Sequence, residues 1–253
     1  MNFTVLTLFP ELMQTFFSHG MIARGIEKKL ISSTCINIRD FASDRHKSVD
    51  DKPYGGGSGM VMKPEPLYSA IKQARENQAD SKVIILSPQG NRYSQSRAIS
   101  IAEKKQGLIL VCGRYEGIDE RIYKLLADEE ISIGDYVLTG GEIGAMVIID
   151  SVVRLIPGVL GKEDSFQSDS FMDERLEYAQ YTRPEIFQKK SVPDILLSGN
   201  HEKIRHWRKK SSLQRTFLKR PDLFEKAALD REEKNILKQW CKELEMLIGD
   251  SSD

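Results

Sequence analysis

The chain has 253 residues, 40% hydrophobic and 29% charged, the balance of a soluble globular protein with room for one large domain or two ordinary ones. Lys and Arg total 37, as do Asp and Glu, which excludes a polycation and confines any nucleic-acid site to a local patch. Cys35, Cys112 and Cys241 stand far apart with no CxxC pair, which argues against a zinc site or a disulfide framework and fits a reducing, cytoplasmic compartment.

Met1 to Phe9 has no basic n-region or cleavage site, so it reads as a strand rather than a signal peptide. Its apolar run, Phe3 to Leu8, stops before Pro10. Glu11 to Phe17 and Met21 to Leu30 carry helical patterns, and Cys35, Ile36 and Ile38 suggest a second strand. Arg39 to Gly59 is too polar and glycine-rich for regular structure, and loops this long in compact domains are usually functional. Leu67, Ala70, Ile71 and Ala74 then recur at helical spacing. Val83–Leu86 is a strand ending at Ser87-Pro88, Gln95–Gln106 a helix, and Leu108–Val111 a strand ending in Cys112-Gly113. Ile118–Leu126 is helical, and Ile131–Leu138 is a strand-like run before Thr139-Gly140-Gly141. A largely apolar helix spans Glu142 to Leu155. The longest apolar stretch, Ile143–Ile156, is broken by Asp150 and Arg154 and is too short to span a bilayer. Strands alternating with helices imply an α/β fold, a parallel sheet with helices on its faces.

After Gly161 the composition changes. Lys162–Asp173 is Ser- and Asp-rich and reads as a linker; beyond Arg183-Pro184 the pattern is helical and charged. His201–Arg220 holds eight Lys or Arg against the single acid Glu202, whereas Asp222–Asp253 holds nine acids against five bases. The neutral total therefore conceals a basic segment followed by an acidic tail helix.

Three strand ends carry turn residues: Ser87-Pro88-Gln89-Gly90, Gly113 to Gly117, and Thr139-Gly140-Gly141. Read singly, each loop serves a tight turn as well as a ligand, because glycine is the default turn residue. Three in succession at equivalent strand ends point to a ligand crevice. None matches GxGxxG or GxxxxGK[ST]. Gly55-Gly56-Gly57-Ser58-Gly59 is either a linker or a backbone nest for an anion. Its neighbours Arg45, His46, Lys47 and Lys52, mixed with Asp44, Asp50 and Asp51, favour a structured loop near a substrate. Arg154, late in an apolar helix, either edges a site or pairs with an acid, since an unpaired buried charge is costly. The basic segment, with Trp207 and Phe217 interleaved, is a solvated face or an RNA surface whose cations meet phosphates and whose aromatics stack on bases.

In order and at matching spacing, several strings resemble the bacterial tRNA (guanine-N1)-methyltransferases of the SPOUT superfamily over nearly the whole chain. They are Leu6–Pro10, Asp44–Lys47 with Val49–Asp51, Pro53–Gly59, Leu86–Gly90, Gly113–Gly117, Ile133–Glu142, Arg154–Gly161, Asp169–Phe171, Tyr181–Pro184 and Leu197–His201. The resemblance implies a mostly parallel sheet with a deep trefoil knot and a small C-terminal all-α domain. The domains would be a cofactor-binding domain over 1–161, a flexible linker over 162–173 and a helical tRNA-binding domain over 174–253. It also implies a homodimer with active sites shared between subunits.

By the same resemblance, S-adenosylmethionine lies against Leu86, Ser87, Pro88, Gly113, Tyr115, Glu116, Gly117, Ile133, Gly134, Tyr136, Leu138, Gly140 and Gly141. The substrate contacts are His46, Asp50, Gly55, Gly59, Ser165, Glu177, Arg183, Asn200 and His201, with Asp169 as base and Arg154 as its cationic partner. Many members carry Asp where Glu177 stands and Pro-His where Ala179-Gln180 stand. Asp164-Ser165-Phe166 duplicates the Asp169 string, but the spacing to Glu177 and Thr182 selects Asp169. Activity is expected to depend on Mg²⁺, for which no spacing marks a site. Two rival readings are a SPOUT methyltransferase for another RNA position and a non-catalytic RNA-binding protein. The Asp169 linker with its helical domain opposes the first; intact Asp169, Arg154 and glycine loops oppose the second.

Overall fold

Asn2–Thr7 forms strand β1, with Phe3, Val5 and Leu6 fully buried. In this computed structural model, which describes residues 1–160, 169–225 and 228–249, the chain divides into two compact units, Met1–Glu163 and Asp164–Asp253. Most of the expected linker, Ser165 included, lies outside the described residues.

In the first unit, helices α1 (Pro10–Phe17) and α2 (Gly20–Glu27) lead to β2 (Ser32–Asn37). A long loop follows, containing β3 (Asp50–Asp51) and β4 (Val61–Met62), which pair antiparallel. Then come α3 (Pro64–Asn77), β5 (Lys82–Arg92), α4 (Gln95–Lys104), β6 (Leu108–Cys112), α5 (Glu120–Leu126), β7 (Glu129–Ser132) and α6 (Glu142–Val153). The main sheet runs β2-β1-β6-β5-β7, every pair parallel. Central β6 is buried at every residue, as a strand covered on both faces must be, and so reads as an unbroken apolar run. Leu6, Val83, Ile85, Ile109 and Val111 join Leu67, Ala70 and Ile71 of α3 in one apolar cluster. Their spacing of two marks one face of the sheet.

Three elements depart from the sequence expectation. Strand β5 does not end at Ser87-Pro88: Leu86 and Asn91 both align with Ile131, so 87–90 bulge out before the strand resumes. The run Ile131–Leu138 is a strand only to Ser132, because Gly134 turns the chain at φ +151° and Tyr136 N–H closes on the Gly134 carbonyl at 3.0 Å. Beyond Arg183-Pro184 a two-residue hairpin, β8 (Ile186–Phe187) with β9 (Lys190–Ser191), precedes the helices. Gln188 and Lys189 both take positive φ there, as a two-residue hairpin turn requires.

On the sheet edge, Glu129 receives bonds from Lys82 (2.6 Å) and from Arg97. Burial alone would raise the Glu129 carboxyl, but these two cations outweigh it and hold its pKa below the ordinary range. A carboxylate depressed on folding stabilises above its unfolded pKa, about 4.3, and loses that contribution as pH falls through the folded value. Glu129→Gln should therefore be less stable than wild type near neutrality, with the gap narrowing below about pH 4. Denaturant melts at the two pH values check this; a gap constant with pH would count against it.

The second unit holds α7 (Asp194–Leu197), α8 (His201–Lys219) and α9 (Arg231–Gly249). The Asn200 side chain accepts from Lys203 N–H at 3.1 Å and caps α8. The irregular stretch Leu176–Ala179 is tied to α8: Leu176 N–H donates to Thr216 Oγ1 (2.9 Å), Ser212 Oγ to the Leu176 carbonyl (2.6 Å) and Ala179 N–H to Ser211 Oγ (3.1 Å). Buried Arg175 lies 3.4 Å from Glu233 and stacks over Phe224. Among the described residues no helix is long and apolar enough to cross a membrane.

Candidate active site

The bulge in β5 and the loops that leave β6 and β7 meet around one cavity. The first is the bulge Ser87–Gly90, where a side chain on Gly90 would come within 2.5 Å of the Glu130 backbone. The second, Gly113–Gly117, needs positive φ at Tyr115 (+59°) and Gly117 (+127°). The third, Ile133–Gly141, returns to the second: Gly141 N–H donates to the Gly113 carbonyl at 3.0 Å, and Arg114 and Gly140 form a β-bridge. Between them lies a cavity of about 260 Å³. Leu86, Ser87, Pro88, Gly113, Tyr115, Glu116, Gly117, Ile133, Gly134, Tyr136, Leu138, Gly140 and Gly141 all line it.

Its charged lining residues are Arg114 and Glu116, so the walls otherwise offer backbone groups and uncharged side chains. Burial raises the Tyr123 phenol on this wall, with a Ser87 hydrogen bond opposing the shift. Just beneath, burial pushes the Cys112 thiol well up. Cys112 is fully buried and does not line the cavity.

The glycine segment of the long loop abuts this site. Gly55, Gly56, Gly57 and Gly59 all have positive φ, between +81° and +126°. Glu116 N–H donates to the Met60 carbonyl and Met62 N–H to the Gly117 carbonyl, both at 2.9 Å. The Glu116 carboxylate occupies the space that any side chain on Gly59 would need. His46 is exposed in the preceding turn, where the Asp44 carboxylate accepts from His46 N–H (3.1 Å) and from Ser48 N–H and Oγ (2.9 and 2.8 Å). These bonds, the Ser48 hydroxyl foremost, hold the Asp44 pKa down. Asp50 is half-buried in β3, and Gly55 is exposed.

Arg154 caps the C-terminus of α6 in the first unit, half-buried. Asp169 belongs to the second unit. There it lines a cavity of about 250 Å³ with Glu177, Tyr178 and Arg208, and Glu177 N–H donates to Ser170 Oγ at 3.0 Å. Arg183 and His201 are exposed in the same unit, and Asn200 already spends its side-chain oxygen on capping α8.

Two residues that the sequence reading does not single out matter locally. Glu142, 1% exposed, opens α6, and Arg114 reaches it across the loops at 2.8 Å. The one available signal is position: an acid directly after Gly140-Gly141, and a base inside Gly113–Gly117. In the second unit the eight-to-one excess is partly neutralised. Lys209 pairs with Asp230 (2.9 Å) and Glu232 (2.7 Å), Lys210 with Glu243 (2.8 Å) and Arg220 with Asp222 (2.7 Å). Arg208 stacks over Tyr178, and Trp207 packs against Tyr181.

The family profile described as tRNA (Guanine-1)-methyltransferase TrmD matches residues 1–226. A protein of Geobacillus kaustophilus named tRNA (guanine-N(1)-)-methyltransferase is 52% identical over 245 residues, covering 97% of this chain and 100% of that protein. Proteins of the same name from Dictyoglomus turgidum and Desulfatibacillum aliphaticivorans are 54% and 50% identical. They cover 95% and 98% of this chain, and the matches span 96% and 94% of their own lengths. A profile match over most of the chain, joined by end-to-end relatives near half identity, leaves one assignment: the chain belongs to the tRNA (guanine-1)-methyltransferase family.

Proposed function

We propose that this enzyme transfers the methyl group of S-adenosylmethionine to N1 of the guanine 3′-adjacent to a tRNA anticodon, which prevents reading-frame errors. The observation that carries the reading is the cavity between the β5 bulge and the loops that leave β6 and β7, whose backbone-rich walls suit an adenine edge and a ribose. The tie between Gly141 and Gly113 suits the close crossing of a trefoil knot, which is part of this proposal.

When bound, the cofactor supplies an electrophilic methyl on a positively charged sulfur, and Glu116 is the lining acid suited to face that charge. Guanine N1 is protonated at neutral pH, so a base must take that proton while charge builds on O6. Asp169 takes the proton. Arg154, always charged and able to aim a fork of donors, steadies O6. His46, Asp50, Gly55, Gly59, Glu177, Arg183, Asn200 and His201 hold the guanine and its flanking nucleotides. A hard cation such as Mg²⁺ would be held by carboxylates; among the described residues no group of three His, Cys, Asp or Glu side chains is placed to hold a metal ion.

The proposal includes a cytoplasmic homodimer with shared sites. Helix α6 is apolar nearly all round, yet Ile143 and Val147 are 52% and 41% exposed, and Leu12 of α1, a helix in contact with α6, is 45% exposed. A helix apolar on every side is ordinarily buried on every side, so a second copy is the fitting cover. Val147→Glu should convert dimers to monomers in sedimentation; unchanged dimers would rule out this ridge.

The proposal also assigns tRNA affinity to the helical part, 174–253, beyond a linker over 162–173. Of the eight bases in His201–Arg220, setting aside the paired Lys209, Lys210 and Arg220 leaves five for phosphates. At roughly 0.7–0.9 per contact, log affinity should fall against log salt with a slope of about −3.5 to −4.5 per protomer. Salt-insensitive binding would contradict the assignment.

The direct test is transfer of labelled methyl from S-adenosylmethionine into tRNA, followed by nuclease mapping. Label at N1 of the guanine after the anticodon is the expected result. Label elsewhere would favour another RNA position, and no transfer, with no calorimetric binding of cofactor, would favour a non-catalytic RNA binder.

A further inference from the structure

We propose that the buried Glu142–Arg114 pair is a positioning device that holds Thr139-Gly140-Gly141 against Gly113 and so fixes the shape of the cavity; its functional consequence rests on the cofactor reading above. Glu142 Oε1 accepts from Thr7 Oγ1 at 2.6 Å, and Thr7 Oγ1 in turn accepts from Phe9 N–H at 2.9 Å. Glu142 Oε2 lies 2.8 Å from Arg114 Nη2, a contact of charges rather than an aligned hydrogen bond. The Arg114 guanidinium also stacks over the Phe9 ring at 4.4 Å and donates through Nη1 to the Thr139 carbonyl at 3.2 Å. It fills the space that a side chain on Gly140 would take. One guanidinium thus joins the end of β1, the end of β6 and the start of α6.

Stability does not account for two charges at this depth. Arg114 is 19% exposed and Glu142 1%, and a buried ion pair recovers its desolvation cost poorly, so a matched apolar pair usually stabilises as well or better. Position does account for them. A loop with two adjacent glycines has little of its own to hold one conformation. The planar guanidinium aims at a carboxylate, a carbonyl and a ring at once, which an ammonium cannot do. The cavity's backbone donors and acceptors are held in place by a guanidinium on its wall and by a carboxylate, Glu142, that lies outside its lining.

The test compares wild type with Arg114→Lys and the double variant Arg114→Met/Glu142→Leu. Thermal stability, calorimetry with S-adenosylmethionine, KM for each substrate, and amide exchange at Gly140 and Gly141 without cofactor are measured. Arg114→Lys should weaken cofactor binding about tenfold, the equivalent of one lost charged hydrogen bond. It should raise the KM for cofactor while leaving the KM for tRNA unchanged, and speed exchange at Gly141. The double variant should melt within a few degrees of wild type yet remain weak for cofactor. Wild-type affinity in a folded double variant would overturn the proposal. If that variant does not fold, normal affinity and exchange in Arg114→Lys overturn it instead. A wild type that binds no S-adenosylmethionine defeats the cofactor reading, and the exchange rates then decide the positioning role by themselves.

Discussion

Asp169→Asn is expected to bind S-adenosylmethionine and tRNA nearly as wild type does while its turnover falls about 10²–10⁴-fold, the usual contribution of a positioned base. Asparagine keeps the size of the side chain and does not touch the backbone bond from Met172 N–H to the Asp169 carbonyl at 3.3 Å. The neighbouring Ser170 hydroxyl still holds Glu177 N–H. What is lost is a carboxylate able to take the N1 proton. Arg154→Ala should likewise lower turnover more than binding, because the charge it steadies develops only as N1 loses its proton. Mixing the two inactive variants sharpens the test. If the residues serve one site from different subunits, a mixed dimer has one doubly damaged site and one intact site, and some activity returns. No recovery, with mixed dimers shown to form, defeats the shared site; full turnover by Asp169→Asn defeats the base assignment.

The centre of the sheet, β1, β5 and β6, is legible in the sequence because these strands are buried on both faces. Leu108–Cys112 is apolar at every position and fully buried, and the helices between the strands carry their apolar residues at helical spacing. The end of β6 is legible for the opposite reason, since Gly113 opens a turn there. The details lost are those that tertiary contacts decide. Nothing local distinguishes Ser87–Gly90 as a bulge from the end of a strand; the resumed pairing of Asn91 with Ile131 decides it. The hairpin at Ile186–Ser191 uses Gln188 and Lys189 at positive φ, residues that carry none of the Asn-Gly or Asp-Gly signal of such turns.

For the site, position outweighs chemistry. The glycine segments announce a crevice because three of them follow consecutive apolar runs, and a lining of backbone groups leaves glycine as its visible trace. Asp169 is different: nothing in a Ser- and Asp-rich segment sets it apart, and it enters through family resemblance alone. Glu142 and Arg114 escape because a buried charge looks the same as a surface charge in a sequence. The basic face of α8 is legible as a run of cations, but its strength is not. Asp230, Glu232 and Glu243, acids of what looks like a separate tail, pair with Lys209 and Lys210 of α8.

Gly140→Val should leave the sheet folded and weaken S-adenosylmethionine binding about 10- to 100-fold, matching the ~1–3 kcal/mol typical of an overpacked site. The room that a valine needs is filled by the Arg114 side chain. Either the guanidinium gives up its contacts with Glu142, Phe9 and Thr139, or the loop moves into the cavity it lines. Both outcomes deform the same wall. Gly141 leaves less freedom still, since its side chain would come within 2.8 Å of the Cys112 Cα, and the backbone of β6 has nowhere to go. Gly141→Val is therefore expected to reduce both stability and binding, whereas Gly140→Val reduces binding with much less effect on stability. Gly55→Val provides the control for cofactor binding: nothing lies within 4 Å of the added carbon, Gly55 does not line the cavity, and its cost is backbone strain at φ +85° at an exposed position. Calorimetric titration of the three variants beside thermal melts separates these effects. Cofactor affinity equal to wild type in folded Gly140→Val would show that the third loop does not bind the ligand.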